Sequence, residues 1–236
     1  MNKINFTIDG KACTAEPGQT IYEAVKANGI YIPVLCYYEG LVPAGSCRIC
    51  TVRVNGRYMA SCTQPLAEGM AVETTAADLE DMRRATIEML FVEGNHLCPS
   101  CEKSGNCELQ ALAYRYQILV PRFPYLFPKR EVEPAAPKIL IEHNRCILCR
   151  RCVRGIKTPD GRKIFAIQNR SRKSRIALDP ALGAELTDEL ARKAMDICPV
   201  GALLRKEVGF VVPIGRRKYD KVPIGSDAAA RPEVKS

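Results

Sequence analysis

The sequence predicts an α+β chain: a small mixed sheet crossed by one helix, then a short helical unit, then a region where short strands mix with a helix. Three observations predict it. Short alternating segments in the first third are joined by Asp9–Gly10 and Asn55–Gly56, both strong hairpin-turn pairs. Apolar residues recur with a helical period over 77–93. Eleven of the twelve cysteines fall into three tight groups spread along the 236 residues.

The elements follow in order. Residues 4–10 alternate as a strand, and a second strand follows the Asp9–Gly10 turn near 11–15. Thr20 and Glu23 form a capping box, Ile21, Ala24 and Val25 make one helical stripe, and Asn28–Gly29 stops the helix. Residues 36–50 form a Gly-, Pro- and Ser-containing loop, 51–54 and 58–62 form a hairpin around Asn55–Gly56, and 70–75 closes the sheet. Leu79, Met82, Ile87, Leu90 and Phe91 mark a helix over 77–93, and a further helix is expected over 108–117. Five prolines in 119–138 predict an extended connector. Beyond it come strands near 163–168 and 174–178, then a helix from Asp188 capped by Thr187. The tail from Glu207 repeats VPIG around a basic GRRKYDK. It has too few apolar residues to pack alone, which leaves a disordered tail and a partner-wrapping arm as alternatives.

Composition narrows the function. Hydrophobic content of 47% supports globular cores. No stretch of eighteen apolar residues is present, so no membrane span is expected, and the N-terminus lacks a signal-peptide core. The expected compartment is the cytoplasm, where thiols stay reduced and cysteine groups read as metal ligands. The net charge of +9 lies in residues 141–236, which hold +10 against −1 for 1–140. Clusters bound to eleven thiolates and one imidazole would bring roughly −5, offsetting much of it. Few aromatics and no Trp make a base-stacking surface unsuited to this chain, so no nucleic acid is expected.

The first cysteine group, Cys36, Cys47, Cys50 and Cys62, has the spacing C-x10-C-x2-C-x11-C. Cys47 and Cys50 can grip one iron and Cys36 and Cys62 the other. The small residues Pro43 to Ser46 let backbone N–H groups approach the sulfurs. The first gap is longer than in plant-type ferredoxins, but four cysteines beside a sheet–helix unit favour a 2Fe–2S centre over structural zinc.

The second group, Cys98, Cys101 and Cys107, leaves a 4Fe–4S cluster one ligand short. His96, two residues from Cys98, fills the vacancy more locally than Cys13, which lies on a strand far back in the chain. The third group is C-x2-C-x2-C at Cys146, Cys149 and Cys152, with Cys198–Pro199 downstream. In two-cluster ferredoxins the cysteine before proline serves the other cluster. Here Cys198 is expected to close its own 4Fe–4S set, with a crossed assignment to the second set as the alternative. Cys13 then reads as a small buried apolar residue.

No G-x-G-x-x-G or Walker A sequence is present, and no nucleophile has a matching base. His143 reads as a surface or supporting residue. With no active site of its own, the chain is expected to receive electrons from one partner and pass them to another.

The run from CYYEGLVPAGSCRIC through GNHLCPSCEKSGNCELQ to NRCILCRRCVR and ICPVGAL resembles the N-terminal iron–sulfur region of the large complex I subunit and of iron-only hydrogenases. As a short chain with a PIGRRKYD tail, it is similar to the small diaphorase subunit of cytoplasmic NAD-reducing nickel–iron hydrogenases. That resemblance implies a ferredoxin-like β-grasp 2Fe–2S domain at 1–76 and a small helical His/Cys 4Fe–4S domain at 77–118. It further implies a Pro-rich connector at 119–138, a ferredoxin-type 4Fe–4S domain at 139–206 and a basic arm at 207–236. The implied partners are a flavin- and NAD-binding diaphorase subunit and the hydrogenase small and large subunits, with hydrogen oxidation coupled reversibly to NAD reduction. Kept as alternatives are the iron–sulfur subunit of an NAD-dependent formate dehydrogenase, a complex-I-like NADH dehydrogenase module, and, from a different class, a zinc- or cluster-containing regulatory or scaffold protein.

Overall fold

The computed structural model describes residues 3–134 and 136–229. The last seven residues of the expected basic arm lie outside this range. Strands β1 (Ile4–Ile8) and β2 (Lys11–Ala15) form a hairpin whose turn residues Asp9 and Gly10 both take positive φ, as a two-residue turn requires. Helix α1 (Ile21–Ala27) starts at the expected capping box: Thr20 Oγ1 accepts from Glu23 N, and Glu23 returns the bond to Thr20 N at 2.8 Å. Strands β3 (Thr51–Val54), β4 (Arg57–Ala60) and β5 (Ala71–Glu73) complete a five-stranded sheet in the order β2-β1-β5-β3-β4. Only β1 and β5 run parallel. One face is closed by α1: Ile21, Ala24 and Val25 bury against Phe6, Ile8, Val52, Val54 and Val72.

Helix α2 (Ala77–Val92) leaves this sheet without a side-chain cap. Arg83, 3% exposed, ties it back by donating to the carbonyls of Thr74 at 2.8 Å and Thr51 at 2.9 Å. Met82, expected on the buried stripe, is exposed. The helix turns Arg83 inward because two strand-end carbonyls there need a donor. Helix α3 (Glu108–Arg115) follows the second cysteine group.

The proline-rich segment is extended for most of its length, but it also contributes β6 (Val132–Glu133), which pairs with β7 (Ile139–Glu142). β7 pairs in turn with β10 (Leu203–Arg205). Between these lie α4 (Arg151–Gly155), the hairpin β8 (Phe165–Gln168) and β9 (Arg175–Leu178), α5 (Pro180–Ala184) and α6 (Asp188–Ile197), which Thr187 caps as expected. Strands β6, β7 and β10 and helices α4 and α5 are additions to the elements read from sequence. No hairpin-turn pair marks these strands, and the two helices have five residues each, too few for a period.

Two cores result. One belongs to the five-stranded sheet. The other runs without a break from α2 and α3 through β7, α4, β9 and α6, and takes in Leu35 and Ile49 from the first cysteine loop. The tail is neither loose nor extended away from the molecule over its described residues. Tyr219 N donates to the Gly105 carbonyl and Lys218 N to Asn106 Oδ1, each at 2.8 Å, while Arg115 holds the Ile224 carbonyl at 2.9 Å. It then ends in α7 (Ser226–Ala229). Backbone hydrogen bonds and arginine contacts do the packing that its sparse apolar residues cannot.

Candidate iron–sulfur sites

The four cysteines of the first group come together between the loop 36–50 and the end of β4. The Cys36 thiol is hydrogen-bonded by Cys47 and Cys62, and Cys50 is bonded by Cys62. The bonds from Cys47 and Cys62 hold Cys36 well below the usual thiol range, and the bond from Cys62 brings Cys50 down to about 7. Cys62, as the proton donor to both, is pushed up. The Cys47 backbone N–H and the Ser46 hydroxyl also point at Cys36, as the small residues of this loop predict. Gly45 takes φ +60°, with the Thr63 side chain against it.

In the second group His96, Cys98, Cys101 and Cys107 line one small cavity. Cys107 is the N-cap of α3, its sulfur accepting from Gln110 N at 3.4 Å, so the positive end of that helix faces the set. Burial raises the Cys107 thiol to about 12. His96 is brought down to about 4 by burial, so its imidazole is neutral at pH 7, as a ligand must be. It bonds to the Leu90 carbonyl and meets Phe91 edge-on at 5.3 Å, which fixes the ring. Cys13 sits half-buried on β2 and does not line this cavity.

In the third group Cys146, Cys149, Cys152 and Cys198 line another small cavity. Burial pushes the Cys146 thiol up to about 11 and raises Cys149 and Cys152 as well. Backbone N–H groups of Leu148, Arg151 and Val153 turn onto Cys146, Cys149 and Cys152 respectively. Leu148 and Arg150 adopt positive φ to allow this, and Arg48 does the same between Cys47 and Cys50. Such left-handed non-glycine residues cost on the order of 1 kcal/mol each and collect at functional sites.

The residues present fit iron–sulfur clusters. The donors are thiols plus one imidazole, ringed by backbone N–H groups. Among the described residues no three ligand-type side chains converge tightly enough for a single metal ion; the second and third sets surround cavities instead. A Cβ on Gly201 would collide with Cys101 Sγ, so this glycine is what lets the backbone approach that sulfur.

The sets are also joined. Residues 198–202 separate the second cavity from the third: Gly201 lines one, and Cys198, Val200 and Ala202 line the other. Glu108 N donates to the Pro199 carbonyl at 2.8 Å. Arg154 in turn donates to the carbonyls of Cys36 at 2.6 Å and Cys149 at 3.4 Å. The third set therefore adjoins each of the other two. Arg145, Arg151 and Arg154 lie beside ligands in the NRCILCRRCVR run, at positions the cysteine spacing leaves unspecified, so the motif gives no role for them. Of the two expectations for His143, a surface or a supporting residue, its burial favours the second. His143 is buried, 5% exposed, with Glu133 at 3.1 Å.

Known proteins resemble this chain along most of its length. Residues 1–77 match the 2Fe-2S iron-sulfur cluster binding domain, 83–122 the NADH-ubiquinone oxidoreductase-G iron-sulfur binding region, and 136–204 the NADH-quinone oxidoreductase subunit 3 ferredoxin-like domain. The chain is 34% identical over 212 residues to the mitochondrial NADH-ubiquinone oxidoreductase 78 kDa subunit of Candida albicans, covering 88% of this chain but 29% of that one. It superimposes with a TM-score of 0.86 on a chain of the NAD+-reducing [NiFe]-hydrogenase in the H2-reduced state, at 40% identity, covering 95% of this chain and 98% of that one. It is 50% identical over 218 residues to the NAD-reducing hydrogenase HoxS subunit gamma of Cupriavidus necator, covering 92% of this chain and 93% of the relative. Among the described residues no helix is long and apolar enough to cross a membrane. Three matching iron–sulfur family models, a shared fold and near-complete mutual coverage lead to one conclusion: this chain belongs to the family of the NAD-reducing hydrogenase gamma subunit, an iron–sulfur electron-transfer family with a 2Fe–2S domain and two 4Fe–4S domains.

Proposed function

We propose that this chain conducts electrons between a nickel–iron hydrogenase module, made of a small and a large subunit, and a flavin- and NAD-binding diaphorase subunit, in the cytoplasm. In this reading Cys36, Cys47, Cys50 and Cys62 hold a 2Fe–2S cluster. His96, Cys98, Cys101 and Cys107 hold one 4Fe–4S cluster, and Cys146, Cys149, Cys152 and Cys198 hold the other. When bound, these groups supply one-electron carriers. The polypeptide fixes their spacing, excludes water and aims backbone N–H groups at the ligand sulfurs, which stabilises added negative charge. His96 in place of a thiolate removes one negative charge from the second set and makes its reduction easier.

The observation that carries the reading is that the third set adjoins each of the other two. It shares the 198–202 wall with the second set, and Arg154 bridges it to the first. A path from end to end runs through it. Cys149→Ala in the complex, purified without oxygen, is the test. Hydrogen-driven NAD reduction is expected to vanish, while flavin-dependent NADH oxidation by artificial acceptors persists. Hydrogen-driven NAD reduction that survives would put the third set off the path.

A further inference from the structure

Arg151 is 1% exposed although its charge is permanent. Its guanidinium lies where four ligand-bearing segments meet. It belongs to the turn between Cys149 and Cys152. It donates to both carboxylate oxygens of Glu108, the neighbour of Cys107, at 2.7 Å each. It donates to the carbonyl of Ile197, the neighbour of Cys198, at 3.3 Å. It also stands 5.4 Å from the ring centre of Tyr38, two residues beyond Cys36. Its Nε is buried without a hydrogen-bond partner.

Stability alone does not account for this arrangement. Burying the Arg151 charge costs desolvation that its attraction to the partly exposed Glu108 barely repays, and apolar residues of similar volume are often as stable. An orphaned N–H in the same side chain adds a further cost. What the arrangement does achieve is electrostatic. The Arg151 charge acts on Cys149 and Cys198, both thiols of the third set, in a dry interior where screening is weak. Glu108 approaches from the α3 side and does not line the third cavity. A cation held close to the third set favours its reduced, more negative state. A carboxylate on the far side of the cation offsets part of that effect.

We propose that Arg151 is a positioning residue whose fixed charge raises the reduction potential of the cluster held by Cys146, Cys149, Cys152 and Cys198, with Glu108 as the counter-charge that sets how far. The proposal rests on the ligand assignment given above. Arg151 thus makes the middle of the path an electron-accepting station, and the pair also fastens the α3 segment to the α4 segment.

The test is an EPR-monitored redox titration of the intact complex, purified without oxygen, with Arg151→Met, Glu108→Gln and Arg151→Lys. Arg151→Met is expected to lower the third-set midpoint so that the reduced-to-oxidised ratio falls about tenfold at a fixed potential, ~59 mV for one electron. Glu108→Gln is expected to move the same midpoint upward, and Arg151→Lys to stay nearer to wild type than Arg151→Met. Opposite signs for the two charge removals are the signature, because a packing defect has no reason to reverse sign. Midpoints that do not move, or move the same way in both, overturn the proposal. Where Arg151→Met fails to assemble, Glu108→Gln decides: an upward shift supports the proposal, and no shift or a downward one overturns it. A wild-type complex without 4Fe–4S signals would overturn the ligand assignment and this proposal with it. Intact signals with unmoved potentials overturn this proposal alone.

Discussion

Arg154 donates to the backbone carbonyl of Cys36 at 2.6 Å across 118 residues of chain. The same guanidinium reaches the carbonyls of Val42 and Cys149. One side chain on a helix of five residues thereby locks the first cysteine loop onto the third. The junction has a polar tie beside its apolar contacts, since the carbonyls of the 36–42 loop find a donor here that the sheet does not give them.

Arg154→Ala is expected to lower stability by about 2 kcal/mol, in the range for hydrogen bonds to a charged group. For a chain of this length that lowers the unfolding midpoint by about 4–8 °C. Calorimetry of the variant checks the magnitude. Iron content is expected to stay at the wild-type level, because no ligand is removed.

The second set yields a paired prediction. His96→Cys is expected to keep its iron and lower the midpoint of that set, since a thiolate adds negative charge where the imidazole had none. Gly201→Ala adds a methyl group against Cys101 Sγ and is expected to lose about four of about ten irons. Iron and sulfide analysis with a redox titration reads both. An unchanged midpoint in His96→Cys would remove the histidine from the ligand set.

Asp220 organises the tail. Its carboxylate accepts from Gly215 N at 2.6 Å, from Arg217 N at 2.9 Å and from the Arg217 side chain, whose hydrogen bond holds Asp220 down at about 2. A carboxyl depressed in the folded state stabilises the fold above its ordinary value near 3.8, and that contribution is lost as pH falls from about 4 to about 2. The 213–220 turn is therefore expected to open over that window, read as faster hydrogen exchange at Gly215 and Arg217. Asp220→Asn is expected to show faster exchange there already at neutral pH, with quicker proteolysis after residue 210.

The local elements were legible because their signals are local. Asp9–Gly10, Thr20 with Glu23, Asn55–Gly56 and Thr187 each act within four residues, and each appears where expected. The C-x2-C spacings put Cys98 with Cys101, and Cys146 with Cys149 and Cys152, on the walls of single cavities, because positions three apart stay close through one turn of loop. Periodicity failed where a polar tether outweighed it: Arg83, not Met82, faces inward on α2. No hairpin-turn pair marks β6, β7 or β10 in the way that Asn55–Gly56 marks β3 and β4, and β10 pairs with β7 from far along the chain.

The sequence by itself determined the donor types, the grouping of the cysteines and the turns that present them, for these depend on covalent spacing and short-range backbone geometry. Tertiary structure alone decided the rest. It brought Cys198 to the third set across some fifty residues, put that set beside each of the other two, folded the tail onto Gly105 and Asn106, and buried Arg151 at the joint. Those contacts join segments with no common motif. They form because a continuous core pulls α2, α3, α4 and α6 together, and the buried carbonyls and carboxylate so enclosed must find donors.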